Sequence, residues 1–205
     1  MGIALFLRGL LIGFSIAAPV GPIGVLCMRR TLSEGRAAGL VSGLGAATAD
    51  GIYGSIAGFG LTFVSTFLVS QQRWFRLVGG LFLCYLGIRT FLARPAEQAA
   101  RAGGQGLLGA YTSTLFLTLT NPLTILSFAA IYAGLGLGGT GGDYGAAGML
   151  TLGVFCGSAF WWLVLSSLVS IFRARFSPKA LQWVNRVSGG IIAAFGLYAL
   201  VGLLR

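Results

Sequence analysis

Asp50 is the residue in this chain whose placement most invites chemistry. Of the four acids, Glu34 and Glu97 sit among arginines and Asp143 lies in a glycine-rich connection, where water accounts for them. Asp50 instead falls well inside an apolar stretch. An ionised carboxylate at the centre of a bilayer costs about 2.5–3.5 kcal/mol on insertion scales. A residue kept there is a candidate to take up a proton or to bind a cationic group. The competing reading is structural: Asp50 caps broken backbone or pairs with an arginine.

Two proline elements form a second constellation. "IAAPVGPIGV" (16–25) places Pro19, Gly21 and Pro22 within an apolar run, and "LTNPLTILSF" (119–128) places Asn121 and Pro122 in another. Proline removes a backbone donor and breaks the preceding turn. The freed carbonyls must then be satisfied inside the protein or by a water-filled cavity. The half-helix after each break presents amide hydrogens and a positive dipole end, which suits a carboxylate. Ser15 lies beside the first break; Thr118, Thr120, Thr124 and Ser127 lie beside the second. A pair of simple kinks is the plainer alternative. Tyr53, Trp161 and Trp162 are weaker candidates, while Trp74 and Trp183 read as interfacial anchors.

These groups must be carried by membrane helices. The chain has 205 residues, 56% of them hydrophobic and only 9% charged, with a mean hydropathy of +0.89. A soluble domain carries about 25% charge. The net charge of +10 does not point to nucleic acid, because the arginines lie in short clusters between apolar segments. The first apolar run is not read as a signal peptide, since no small-x-small site follows and it continues to Met28. Cys27, Cys84 and Cys156 have no C-x-x-C spacing, and histidine is absent, so neither a metal site nor a dithiol motif is expected. No nucleophile–base pair suggests a hydrolase, and no cofactor is expected.

About 20 apolar residues cross the roughly 30 Å hydrocarbon layer. Six spans are expected: Ile3–Met28, Ala38–Phe59, Leu77–Phe91, Leu107–Leu135, Met149–Phe172 and Val187–Leu204. The loops after spans one, three and five hold ten of the fourteen basic residues, including Arg29, Arg30 and Arg36. The positive-inside rule then places those loops in the cytoplasm and both termini outside. "SPKALQWVNR" (177–186) reads as a capped segment lying along the interface before span six. At helical spacing Gly39, Gly43, Ala47, Asp50, Gly54 and Gly58 fall within an arc of about 100°. Such a stripe of small residues allows close helix approach and turns Asp50 away from lipid.

The chain also repeats itself. "RLVGGLFLCYLG" (76–87) matches "RVSGGIIAAFG" (186–196), and Pro22 matches Pro122. The expected fold is all-α integral membrane: six transmembrane helices as two inverted three-helix repeats, 1–101 and 102–205, with helices one and four broken. Matching breaks in inverted halves point to a transporter's midplane site.

With these motifs in hand, the chain resembles the lysine-exporter (LysE/RhtB-type) family of bacterial amino-acid exporters. The resemblance is carried by "GFSIAAPVGPIGV" (13–25), "GLVSGLGAATAD" (39–50), "RLVGGLFLCYLGIRTF" (76–91) and "TNPLTILSF" (120–128). It implies a multi-pass inner-membrane exporter of amino acids or related metabolites, driven by protons, with Pro19, Gly21, Pro22, Asp50, Asn121 and Pro122 at the site. Many members carry lysine after Asn-Pro, where this chain has Leu123. A lysine–aspartate pair is therefore absent, and substrate or coupling ion can differ. The expected partners are a small-molecule substrate, the proton and the bilayer, and a homodimer is compatible with the pattern. Two rivals are a divalent-cation effluxer, disfavoured because hard cations want several oxygen ligands, and a membrane thiol–disulfide electron conductor, which needs two nearby cysteines.

Overall fold

The computed structural model describes residues 2–19, 21–59, 67, 70–92, 106–121, 124–128, 144–173 and 177–203. Seven helices of more than ten residues lie among them: α1 (Gly2–Ala17), α2 (Pro22–Glu34), α3 (Arg36–Gly58), α4 (Gln72–Leu92), α5 (Gly106–Leu119), α6 (Tyr144–Arg173) and α7 (Pro178–Val201). A further helical stretch covers 124–128. No strand occurs among the described residues.

Three helices, α4, α6 and α7, are long and apolar enough to cross a membrane; α1 and α2 add a fourth span if the bent pair is one. α3 has 23 residues, so at 1.5 Å per residue it is roughly 34 Å long. Its glycines, its hydroxyl residues and Asp50, rather than its length, hold its hydropathy down. Of the expected fourth span, only 107–121 and 124–128 fall among the described residues.

The first helix breaks where the prolines fall. It stops at Ala17, and α2 leaves at 80° to α1. Pro22 occupies the first turn of α2 after the extended N-cap Gly21, where its missing N–H costs nothing. α2 then runs to Glu34, so Arg29 and Arg30 are helical and buried rather than loop residues. They escape loop placement because polar side chains from neighbouring helices satisfy their guanidiniums. One residue, Gly35, joins α2 to α3 at φ 110°, a conformation open to glycine, and its N–H bonds the carbonyls of Arg30 and Thr31.

The stretch beginning at Ser177 also departs from expectation. Ser177 caps it, accepting from the Ala180 N–H at 3.2 Å, but no separate interfacial segment follows. α7 runs unbroken from Pro178 to Val201, because neither glycine nor proline interrupts the turns between Lys179 and Val187.

Small residues decide how the helices pair. α1 packs chiefly on α6, α3 on both α5 and α6, and α4 on α7. A Cβ on Gly153 would stand 3.0 Å from the Cα of Gly9, and one on Gly157 3.0 Å from the Cα of Leu10, so α1 and α6 run parallel. On α3, Asp50 faces Ser158 while Gly54 faces Val154, so α3 and α6 are antiparallel. Gly45 lies on Tyr111 and Tyr53 on Leu119, so α3 and α5 are parallel. In the α4–α7 pair, Gly80 meets Gly196 and Gly87 meets Gly189, an antiparallel crossing. Trp74 and Trp183 are exposed near the starts of α4 and α7.

Candidate functional site

The site is built on α3, the helix with the most small residues. Gly43, Gly54 and Gly58 face α6, so α6 can approach closely enough for its side chains to reach Asp50. A Cβ on Gly43 would run into Trp162, and one on Gly54 would stand 3.3 Å from Val154. Gly39 lies differently, with Thr31 of α2 beside it. The glycine stripe thus serves two neighbours, because α2 covers the first turns of α3 and α6 the rest.

Asp50 is 3% exposed. Its Oδ2 accepts from the Ser158 hydroxyl at 2.7 Å. The Ser158 oxygen in turn accepts from the Trp162 indole N–H at 3.1 Å. These two residues are one turn apart on α6, so a single helix face supplies the donor chain. Among the described residues no arginine pairs with Asp50. The carboxylate is therefore buried against a hydroxyl that an indole N–H holds in place, an arrangement able to hold a proton or a small cationic group.

The flanks of the two breaks pack with different turns of α3, the first with Ala46 and Ala47 and the second with Tyr53. Ala17 and Ile23, flanking the first break, belong to one packed cluster with Ala46, Ala47 and Trp162. Pro22 is buried, Gly21 has open space where a Cβ would stand, and Ser15 and Pro19 are exposed. On the second side, the Tyr53 hydroxyl donates to the Leu119 carbonyl at 2.6 Å, and its ring lies 5.5 Å from that of Phe128. Leu119 is the last residue of α5, so Tyr53 satisfies a carbonyl at the point where the helix stops.

The remaining predicted residues gather at this second break. Thr120 is buried and donates to the Phe116 carbonyl at 2.9 Å. Asn121 donates through Nδ2 to the hydroxyl of buried Thr124 at 3.0 Å. Gly21 and Asn121 occupy matching positions: the Gly21 carbonyl accepts from Val25 at 3.0 Å and the Asn121 carbonyl from Ile125 at 3.2 Å. Pro122 and Leu123 lie outside the described residues. Sequence reasoning missed Ser158, since one serine in a long apolar helix carries no signal of its own, and it ranked Tyr53 low.

Comparison with known proteins identifies the family. The model of the LysE type translocator family matches residues 14–202. The chain is 30% identical over 199 residues to a Bacillus subtilis protein named "Putative amino acid efflux protein YcgF", covering 95% of this chain and 94% of that one. It is 24% identical over 196 residues to the threonine efflux protein of Escherichia coli K12, covering 88% and 90%. It is also similar to the uncharacterized membrane protein YahN of the same organism, at 28% over 176 residues, covering 83% and 77%. No solved structure gives a significant match. Family match, relatives and apolar helices agree, and the chain belongs to the LysE type translocators, membrane transporters rather than enzymes.

Proposed function

We propose that this translocator exports amino acids across a bacterial inner membrane by alternating access, with Asp50 at its centre. The observation that carries the reading is the burial of Asp50 on α3, its carboxylate held by Ser158, on a helix whose Ala46 and Ala47 pack with the flanks of the first break and whose Tyr53 packs with the second. Asp50 exchanges a proton or receives the substrate ammonium. The substrate carboxylate binds beside Gly21, at the start of α2, and beside Asn121, ahead of the helical stretch 124–128. No side chain caps the first of these, and Gly21 leaves open space beside it. Amino acids are the substrate class because two relatives carry amino-acid or threonine efflux in their names.

The helix directions support two inverted three-helix halves. Exchanging the halves turns the parallel α1–α6 pair into the parallel α3–α5 pair and maps the antiparallel α3–α6 and α4–α7 pairs onto themselves. Both termini then lie on the periplasmic side and the clustered arginines on the cytoplasmic side.

Asp50→Asn tests the reading. The asparagine keeps the shape and removes the charge change. Export of threonine from preloaded cells is expected to fall to the level of cells lacking the protein, with the variant still found in the membrane. Normal efflux by Asp50→Asn would overturn the assignment.

A further inference from the structure

The half-helix α2 carries two adjacent arginines near its end, 6% and 8% exposed. Consecutive helical residues point about 100° apart, so the two guanidiniums leave α2 towards different neighbours. Arg30 donates through Nη1 to Ser42 Oγ at 2.8 Å, to the Ala110 carbonyl at 2.9 Å and to Thr114 Oγ1 at 2.9 Å. Its Nη2 donates to Ser113 Oγ at 2.8 Å. Arg29 donates through Nε to Asn185 Oδ1 at 3.2 Å and through Nη1 to Thr90 Oγ1 at 3.4 Å. Its Nη2 pairs with Glu34 at 2.8 Å. One arginine thus ties α2 to α3 and α5, and the other ties it to α4 and α7.

Each arginine joins a helix of the first repeat to one of the second. The choice of partners is informative. A buried cation is costly unless its partners replace water fully, and among the described residues no carboxylate pairs with Arg30. Four neutral oxygens hold it instead. Such a bond set is firm while every acceptor is in place, yet water can take it over group by group. The chain on either side of α2 can turn: a break precedes it, and the single residue Gly35 follows it.

We propose that Arg29 and Arg30 form the latch of a gate on the arginine face of the transporter. In the structure the latch is closed, clamping α2 between the two halves. It opens when the guanidiniums exchange Ser42, Thr114, Ser113, Thr90 and Asn185 for water, and α2 pivots between the break and Gly35. The proposal rests on the alternating-access reading, but its test requires no substrate.

Cys27 supplies the reporter. It is 2% exposed, sits three residues before Arg30, and packs in the cluster containing Ala46 and Ala47 of α3. With Cys84→Ser and Cys156→Ser in place, a membrane-impermeant maleimide is applied to inverted and to right-side-out vesicles. In this parent protein Cys27 is expected to react slowly from the arginine face and not from the other. Ser42→Ala with Thr114→Val removes two of the four acceptors of Arg30, and Arg30→Lys keeps the charge but loses the fork. Since bonds to a charged group are the strong ones, either change is expected to raise labelling from the arginine face on the order of tenfold to a hundredfold. Should the double variant fail to accumulate, Arg30→Lys carries the same expectation. Labelling unchanged from the parent, or raised equally from both faces, would overturn the latch. Failure to export threonine with face-specific labelling intact would count against the substrate and leave the latch standing.

Discussion

Gly153→Ala probes whether backbone contact between α1 and α6 shapes the site. The added Cβ would stand 2.9 Å from the backbone nitrogen of Leu10 and 3.0 Å from the Cα of Gly9, with the Phe6 carbonyl closer still. All three are backbone atoms, so no rotamer change makes room. Carbon contacts are best at about 3.5–4.0 Å, so α1 must withdraw by roughly 0.5–1 Å, a gap that forfeits about a quarter to a half of each dispersion well. Overpacking of this kind costs about 1–3 kcal/mol. For a chain of this size 1 kcal/mol moves the melting temperature by about 2–4 °C, so the expected loss is roughly 2–12 °C. Gly148→Ala, in the same helix, is the control, because nothing lies within 4 Å of its Cβ. Thermal unfolding of the two variants in detergent is the assay. If Gly153→Ala melts with Gly148→Ala, the close approach of α1 and α6 is not what holds them.

Tyr53→Phe leaves the Leu119 carbonyl without its 2.6 Å donor. An unsatisfied buried acceptor costs about 1–3 kcal/mol, so the same assay should show a lower melting temperature, and an unchanged one would refute the capping role. Ser177→Ala removes the cap of α7 and is expected to cost about 0.5–2 kcal/mol, with threonine export retained; lost export would show that this cap matters to transport.

Much of the frame was legible from residue types. Proline and glycine interrupt a helix wherever they fall, so the first break was readable at Pro19–Pro22, and α1 does stop just before it. Asp50 could be placed inside the protein because its helical face carries glycine and alanine. The same arithmetic could not say that Gly39 serves α2 while Gly43 and Gly54 serve α6, since one stripe looks alike whichever helix covers it. Counting charge misled for Arg29 and Arg30. Arginines next to an apolar run usually mark a loop, and nothing local distinguishes a pair whose acceptors come from four other helices.

The sequence by itself determined a membrane chain of helices with a broken first span and one carboxylate turned inward. Those features follow from composition, from proline chemistry and from a 3.6-residue period, all of which act locally. The tertiary structure alone decided what each polar group meets: Ser158 for Asp50, the Leu119 carbonyl for Tyr53, Asn185 and Thr114 for the two arginines. These partners lie more than 60 positions apart in the chain. Serine, threonine and asparagine are common enough that only packing selects which of them will serve.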